Sequence, residues 1–108
     1  DTKKLYNDFN NFAFFIYIID IGFNMTEQQI QKKIIDNYQN KGFLVVKLIK
    51  TNQNGIPDLM VLKNGICKFV EVKKPNGKIA ELQKYRIKKL REQGFQAVVM
   101  DGIDSVIY

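Results

Sequence analysis

The chain has 108 residues, with 17 lysines and arginines against 11 aspartates and glutamates, no histidine and one cysteine. That length bounds it to one domain with a modest core, and a net charge of +6 favours a polyanionic partner. Without imidazole and with a single thiol, Cys67, a histidine general base, a cysteine–histidine zinc site and an intrachain disulfide are excluded, which fits a reducing, intracellular (cytoplasmic) setting.

Composition changes near Met25. Residues 1–24 hold seven of the thirteen aromatic side chains and carry two lysines against three aspartates, a net of −1. The other 84 residues carry fifteen basic against eight acidic side chains, a net of +7. The apolar run 12–19 ends at Asp20, too short to span a bilayer. No small-residue cleavage site follows it, so a secretory signal fits poorly and no membrane association is expected. Residues 1–24 read as an extension that packs on the domain or on a partner, and 25–108 as the functional domain.

Thr26 and Gln29 form a capping box, and Ile30, Ile34, Ile35 and Tyr38 recur at helical spacing until Gly42. Glu27 lies three before Ile30 and seven before Ile34, which predicts a place on the inward stripe of this helix. Residues 43–50 are rich in branched side chains and predict a strand, and 51–55 a polar turn. Residues 58–63 and 66–73 predict two strands joined by the hairpin turn Asn64-Gly65. Cys67 falls in the second of these, as a small core residue. Residues 74–78 predict a loop, 79–93 a helix stopped by Gly94, 95–100 a strand, and 101–108 a short terminal helix or turn. The order α-β-β-β-α-β-α predicts an α/β domain with a mixed sheet of about four strands flanked by helices. The crossover through the second long helix should be right-handed, making strands 66–73 and 95–100 parallel.

The hairpin register carries chemistry. With Lys63 paired to Ile66, Asp58 falls opposite Glu71, with Cβ atoms roughly 5 Å apart. Facing like charges destabilise a sheet unless a cation sits between them. Side chains alternate along a strand, so Glu71 and Lys73 share a face and Val72 points into the opposite layer. Two carboxylates are hard oxygen ligands suited to Mg²⁺ or Mn²⁺. A neighbouring lysine can hold a water or offset charge on a phosphate oxygen. Lys74 and Lys78 in the loop, and Lys84, Arg86, Lys88 and Lys89 on the helix, are candidate phosphate contacts. No segment reads as a base-reading element, so backbone or structure recognition is expected.

The ordered set Glu27, Gly55-x-Pro57-Asp58, Glu71-x-Lys73 and Gln83 resembles the PD-(D/E)XK nuclease superfamily. Within it, the chain from about Thr26 to Tyr108 is similar to the virus-type replication-repair nucleases, the VRR-NUC family. The resemblance implies a restriction-endonuclease-like core and a Mg²⁺- or Mn²⁺-dependent DNA endonuclease. Asp58, Glu71 and the Val72 carbonyl would be metal ligands, and Glu27, Lys73 and Gln83 would complete the site. It further implies a homodimer acting on branched or four-way (Holliday) junction DNA in replication, repair or recombination, with no small-molecule cofactor. Two other functions compete with it. One is a degenerate, non-catalytic nucleic-acid-binding module. The other is an accessory subunit of a replication complex, docked through residues 12–23.

Overall fold

The computed structural model describes residues 25–108. The apolar extension 1–24 and its docking run lie outside them. The described elements are α1 (Glu27–Asn40), β1 (Leu44–Lys47), β2 (Leu59–Lys63), β3 (Ile66–Val72), α2 (Glu81–Glu92), β4 (Gln96–Gly102) and β5 (Ser105–Val106). The strands form one mixed sheet in the order β1-β2-β3-β4-β5.

Helix α1 starts where the capping box places it. The Gln29 amide donates to the Thr26 hydroxyl at 3.1 Å, and the Thr26 amide to the Gln29 side-chain oxygen at 2.9 Å. Ile30, Ile34 and Tyr38 then form the buried stripe. They pack on Leu59, Val61, Val70, Val72 and Met100, the side chains that β2, β3 and β4 turn to this face. Burying each of these side chains contributes roughly 1.5–3 kcal/mol, so this layer is the main source of stability. On the opposite face, Ile87 of α2 packs on Ala97 and Val99.

The β2–β3 hairpin has the register that the sequence implies: Lys63 opposite Ile66 and Leu59 opposite Val70. Its turn residues Asn64 and Gly65 have φ of 52° and 78°, the left-handed pair that a two-residue turn with matching twist requires. Strands β3 and β4 are parallel, as the crossover demands.

Three expectations are corrected. Strand 43–50 shortens to Leu44–Lys47, with one further backbone bond at Leu48 before the polar loop begins. Cys67 is half-buried rather than a core residue, because α2 covers the sheet around β4 and not above Cys67. Burial pushes its thiol pKa up. The terminal helix does not form. Residues 105–106 are a fifth strand, and beyond them the Ile107 amide donates to the Val99 carbonyl at 2.8 Å. The open edge of β4 needs partners for its backbone groups, and Val106-Ile107-Tyr108 is better suited to a pleated edge than to a helix.

Candidate active site

The site is assembled at one end of the hairpin. Asp58 immediately precedes β2, Glu71 lies near the end of β3, and Lys73 follows that strand. Glu27 is the first residue of α1, and Gln83 lies in the first turn of α2. One carboxylate oxygen from each of Glu27, Asp58 and Glu71 lies within 4.8 Å of the other two. Each acid therefore comes from a different element, and the sheet with its two helices brings them together. Among the described residues this group could hold a metal ion.

Asp58 stands just outside β2 rather than in it, and its carboxylate has a structural partner. Its Oδ2 accepts the Val72 amide at 2.9 Å. The ladder continues past β1 because the Leu48 amide donates to the Asp58 carbonyl at 2.8 Å. Backbone and side chain are both pinned, so the carboxylate is oriented before any ligand arrives. Val72 gives its amide to Asp58 and its side chain to the α1-facing core.

Glu71 is 3% exposed and faces Asp58. Burial, and then the nearby Asp58 charge, raise its pKa to about 8, against the lowering effect of Lys73. The Lys73 ammonium stands 3.9 Å from Glu71 Oε1, a long ion pair. A buried acid that faces another acid is held either by a proton or by a cation. Three converging carboxylates meet the oxygen-ligand requirement of a hard divalent ion.

Gln83 has a more definite role than its place in the sequence suggests. Its side-chain oxygen accepts the Ala80 amide at 2.9 Å, capping α2, while its Nε2 donates to Glu71 Oε1 at 2.9 Å. Gln83 thus ties the helix start to the buried acid and fixes the carboxylate's orientation. We expect Gln83→Ala to lower Mn²⁺ affinity by about 10–100-fold, the usual range for a residue that orients a ligand. Titration calorimetry measures it, and circular dichroism checks that the helix persists.

Glu27 departs from its expected burial. It is exposed, because the buried stripe of α1 begins one turn later at Ile30. Its carboxylate nevertheless reaches the cluster from the helix N-terminus, where negative charge is favoured.

The Gly55-Ile56-Pro57-Asp58 segment is explained by a close approach. Gly55 has φ of 80°, and a Cβ there would lie 2.8 Å from Leu82 Cγ and 3.1 Å from the Leu82 carbonyl oxygen. The loop before Asp58 therefore abuts the first turn of α2. Arg86 fastens the same contact, donating from Nε to the Asn54 carbonyl at 2.7 Å. Gly55→Ala should cost about 1–3 kcal/mol from the left-handed backbone alone, plus the clash. Urea denaturation measures it, and metal affinity should fall with it because Asp58 follows on the same loop.

The basic residues divide by environment. Lys74, Lys78, Lys88 and Lys89 are exposed. Lys84 is half-buried and lies 3.4 Å from Glu81. Arg86, expected to be a phosphate contact, donates from Nε to the Asn54 carbonyl. Beside Asp58, an open cleft of about 490 Å³ is lined by Lys50, Thr51, Gln53 and Asn54 with the neighbouring backbone. The polar cluster 51–55 signals a turn in the sequence, but only the fold shows that it borders the acids.

A mixed sheet with helices on both faces, ending in a carboxylate cluster with an adjacent lysine, defines a small nuclease-type α/β domain. The model of the VRR-NUC domain family matches residues 22–104, and the chain belongs to that family. It is 32% identical over 79 residues to the protein named "Putative nuclease p44" of Acyrthosiphon pisum secondary endosymbiont phage 1, covering 72% of this chain and 85% of that protein. A solved structure described as a VRR_NUC domain superposes with a TM-score of 0.65 at 32% identity. That match covers 72% of this chain and 86% of the other.

Proposed function

We propose that this protein is a divalent-metal-dependent endonuclease that hydrolyses phosphodiester bonds of DNA. The observation that carries the proposal is the convergence of Glu27, Asp58 and Glu71 within 4.8 Å, beside Lys73 and in a chain of a nuclease family. A bound Mg²⁺ or Mn²⁺ supplies charge neutralisation at the phosphate and a water of lowered pKa. The chain supplies the rest. Asp58 and Glu71 offer carboxylate oxygens from pinned positions, and Glu27 offers a third from the edge of the site. Gln83 keeps Glu71 in one orientation. The Lys73 ammonium, held near Glu71, can donate to a phosphate oxygen as negative charge develops there. With no histidine in the chain, a general base must be a carboxylate, a lysine or water.

The basic balance supports a polyanionic substrate. Lys74 and Lys78 extend from the loop directly after β3, and α2 carries Lys84, Lys88 and Lys89 away from the site. Contacts of this kind bind backbone and not sequence. We further propose selectivity for branched or junction DNA, since backbone contacts respond to the shape of the substrate, and action as a homodimer in which two small domains share that surface.

The deciding experiment incubates the protein with linear duplex, flap and four-way-junction DNA in Mg²⁺, Mn²⁺ or EDTA. Cleavage with either ion and none in EDTA is expected, with branched substrates cut faster. DNA binding without cleavage under every condition would favour a degenerate binding module.

A further inference from the structure

Helix α2 has a second stripe that the active site does not use. Gln83, Ile87 and Leu90 face the sheet and Glu71. Glu81, Lys84, Lys88 and Arg91 recur at intervals of three and four along another line, roughly a third of a turn away. With Tyr85 and Tyr108 they border an open groove of about 580 Å³. Its other wall is built by the C-terminal segment. The Val99 amide donates to the Tyr108 carbonyl at 3.1 Å and the Ile107 amide to the Val99 carbonyl at 2.8 Å. Those bonds fix the Tyr108 backbone along β4, and its ring stands beside α2.

Both tyrosines are open to solvent, Tyr85 at 48% and Tyr108 at 41% exposure. Cations stand over both rings, and an incoming base would take their place on the ring faces. Arg86 and Lys89 lie 5.4 and 5.5 Å from the Tyr85 ring centre. Lys84 and Arg91 lie 5.9 and 5.2 Å from that of Tyr108. Arg91 is itself anchored, since its Nε donates to the Ala97 carbonyl at 2.9 Å. The two acids at the groove are partnered: Glu81 is 3.4 Å from Lys84, and Glu92 is 3.3 Å from Lys89. Lys88 and Arg91 add positive charge beyond those pairs.

Ring faces interleaved with cations suit one occupant best. Unpaired bases stack on an aromatic platform whatever their sequence, while lysine and arginine take the phosphates between them. A closed duplex keeps its base faces hidden and would use the cations alone. From Gln83, which touches Glu71, to Arg91 the helix rises roughly 12 Å. At ~3.4 Å per nucleotide, the rise of one strand in a stacked duplex, that length holds at most about three nucleotides.

The geometry points to a single-strand track: Tyr85 and Tyr108 stack unpaired bases of a DNA strand that leaves the acidic site, and Lys84, Lys88 and Arg91 hold its phosphates. The nuclease proposal sets the direction of the track, whereas binding along it requires no cleavage.

The test measures anisotropy of a labelled oligothymidylate and of a labelled duplex in EDTA. The proteins are the full chain, Tyr85→Ala, Tyr85→Phe and Tyr108→Ala, with thermal melts as folding controls. Tyr85→Ala should bind the single strand about tenfold more weakly, and Tyr85→Phe within about twofold of the parent, because phenylalanine keeps the ring face. Duplex affinity should stay unchanged in all three. Unchanged single-strand affinity in Tyr85→Ala, or an equal loss on duplex, would overturn the proposal. If Tyr108→Ala does not fold, the Tyr85 pair alone decides, since that side chain projects from an exposed helix face. Failure of the nuclease reading has a different signature: tyrosine-dependent single-strand binding with no cleavage in Mg²⁺ or Mn²⁺. Metal-dependent cleavage without tyrosine-dependent binding would reject the track and leave the nuclease reading in place.

Discussion

Alanine at Asp58 or at Glu71 is expected to lower cleavage in Mg²⁺ by about a thousandfold or more, with DNA binding retained. Metal-assisted charge stabilisation contributes several kcal/mol to such reactions, and each ~1.36 kcal/mol is a factor of ten in rate. Removing a negative charge does not weaken contact with a polyanion, so binding in EDTA should hold or tighten slightly. The two positions differ in their structural cost. Asp58→Ala also strips the acceptor from the Val72 amide, which is bonded at 2.9 Å in a partly buried place. An unsatisfied donor of that kind costs about 1–3 kcal/mol. Asp58→Asn keeps an acceptor oxygen and loses the charge, so it should be inactive yet close to the parent in stability. Gel assays of cleavage, paired with melts of both variants, separate the two effects. Full metal-dependent activity in either alanine variant would remove these residues from the reaction.

The second large effect is on stability against pH. In the folded protein without metal, Glu71 keeps its proton up to about pH 8, whereas its ordinary value is 4.5. Between those values the folded state binds more protons than the unfolded state, so stability falls as pH rises. Below the lower value both states are protonated and the dependence from this group disappears. The total is on the order of a few kcal/mol, or roughly 10 °C or more in melting temperature for a domain of this size. Melts in EDTA from about pH 5 to pH 8 should show the decline. Glu71→Gln should flatten it and raise stability at the upper end, since a neutral amide can be buried there without a charge penalty. Mg²⁺ or Mn²⁺ should restore the parent at high pH by binding only the folded state, and should do little for Glu71→Gln. A parent protein whose stability is flat over this range would mean that Glu71 is already ionised and that the acids are solvated.

Local signals defined most of the framework. The capping box located α1, Asn64-Gly65 fixed the hairpin, and the hairpin's register placed Asp58 at the level of Glu71. Those signals act over a few residues, where backbone preference and side-chain spacing are sufficient. The C-terminal segment was misjudged because its preference is settled by a distant partner. Asp101-Gly102 is a turn signal, and Asp104 with φ of 60° completes the reversal, but the segment extends only because β4 offers an open edge. The resemblance to VRR-NUC proteins singled out Gln83, which the structure places against Glu71. Spacing along the chain gave no reason to prefer that glutamine over Gln93.

An α/β chain, a hairpin with two acids at its end and a lysine beside them, and a positive surface were all legible in residue order. Tertiary structure brought Glu27, which the resemblance had named and which is exposed at a helix start, to Asp58 and Glu71. It also decided that Gln83 holds Glu71, that Gly55 makes room for α2, and that Arg86 fastens a loop. The physical reason is separation along the chain. Glu27 and Glu71 are brought together only when α1 and the sheet bury their shared apolar face, and no local preference encodes that distance.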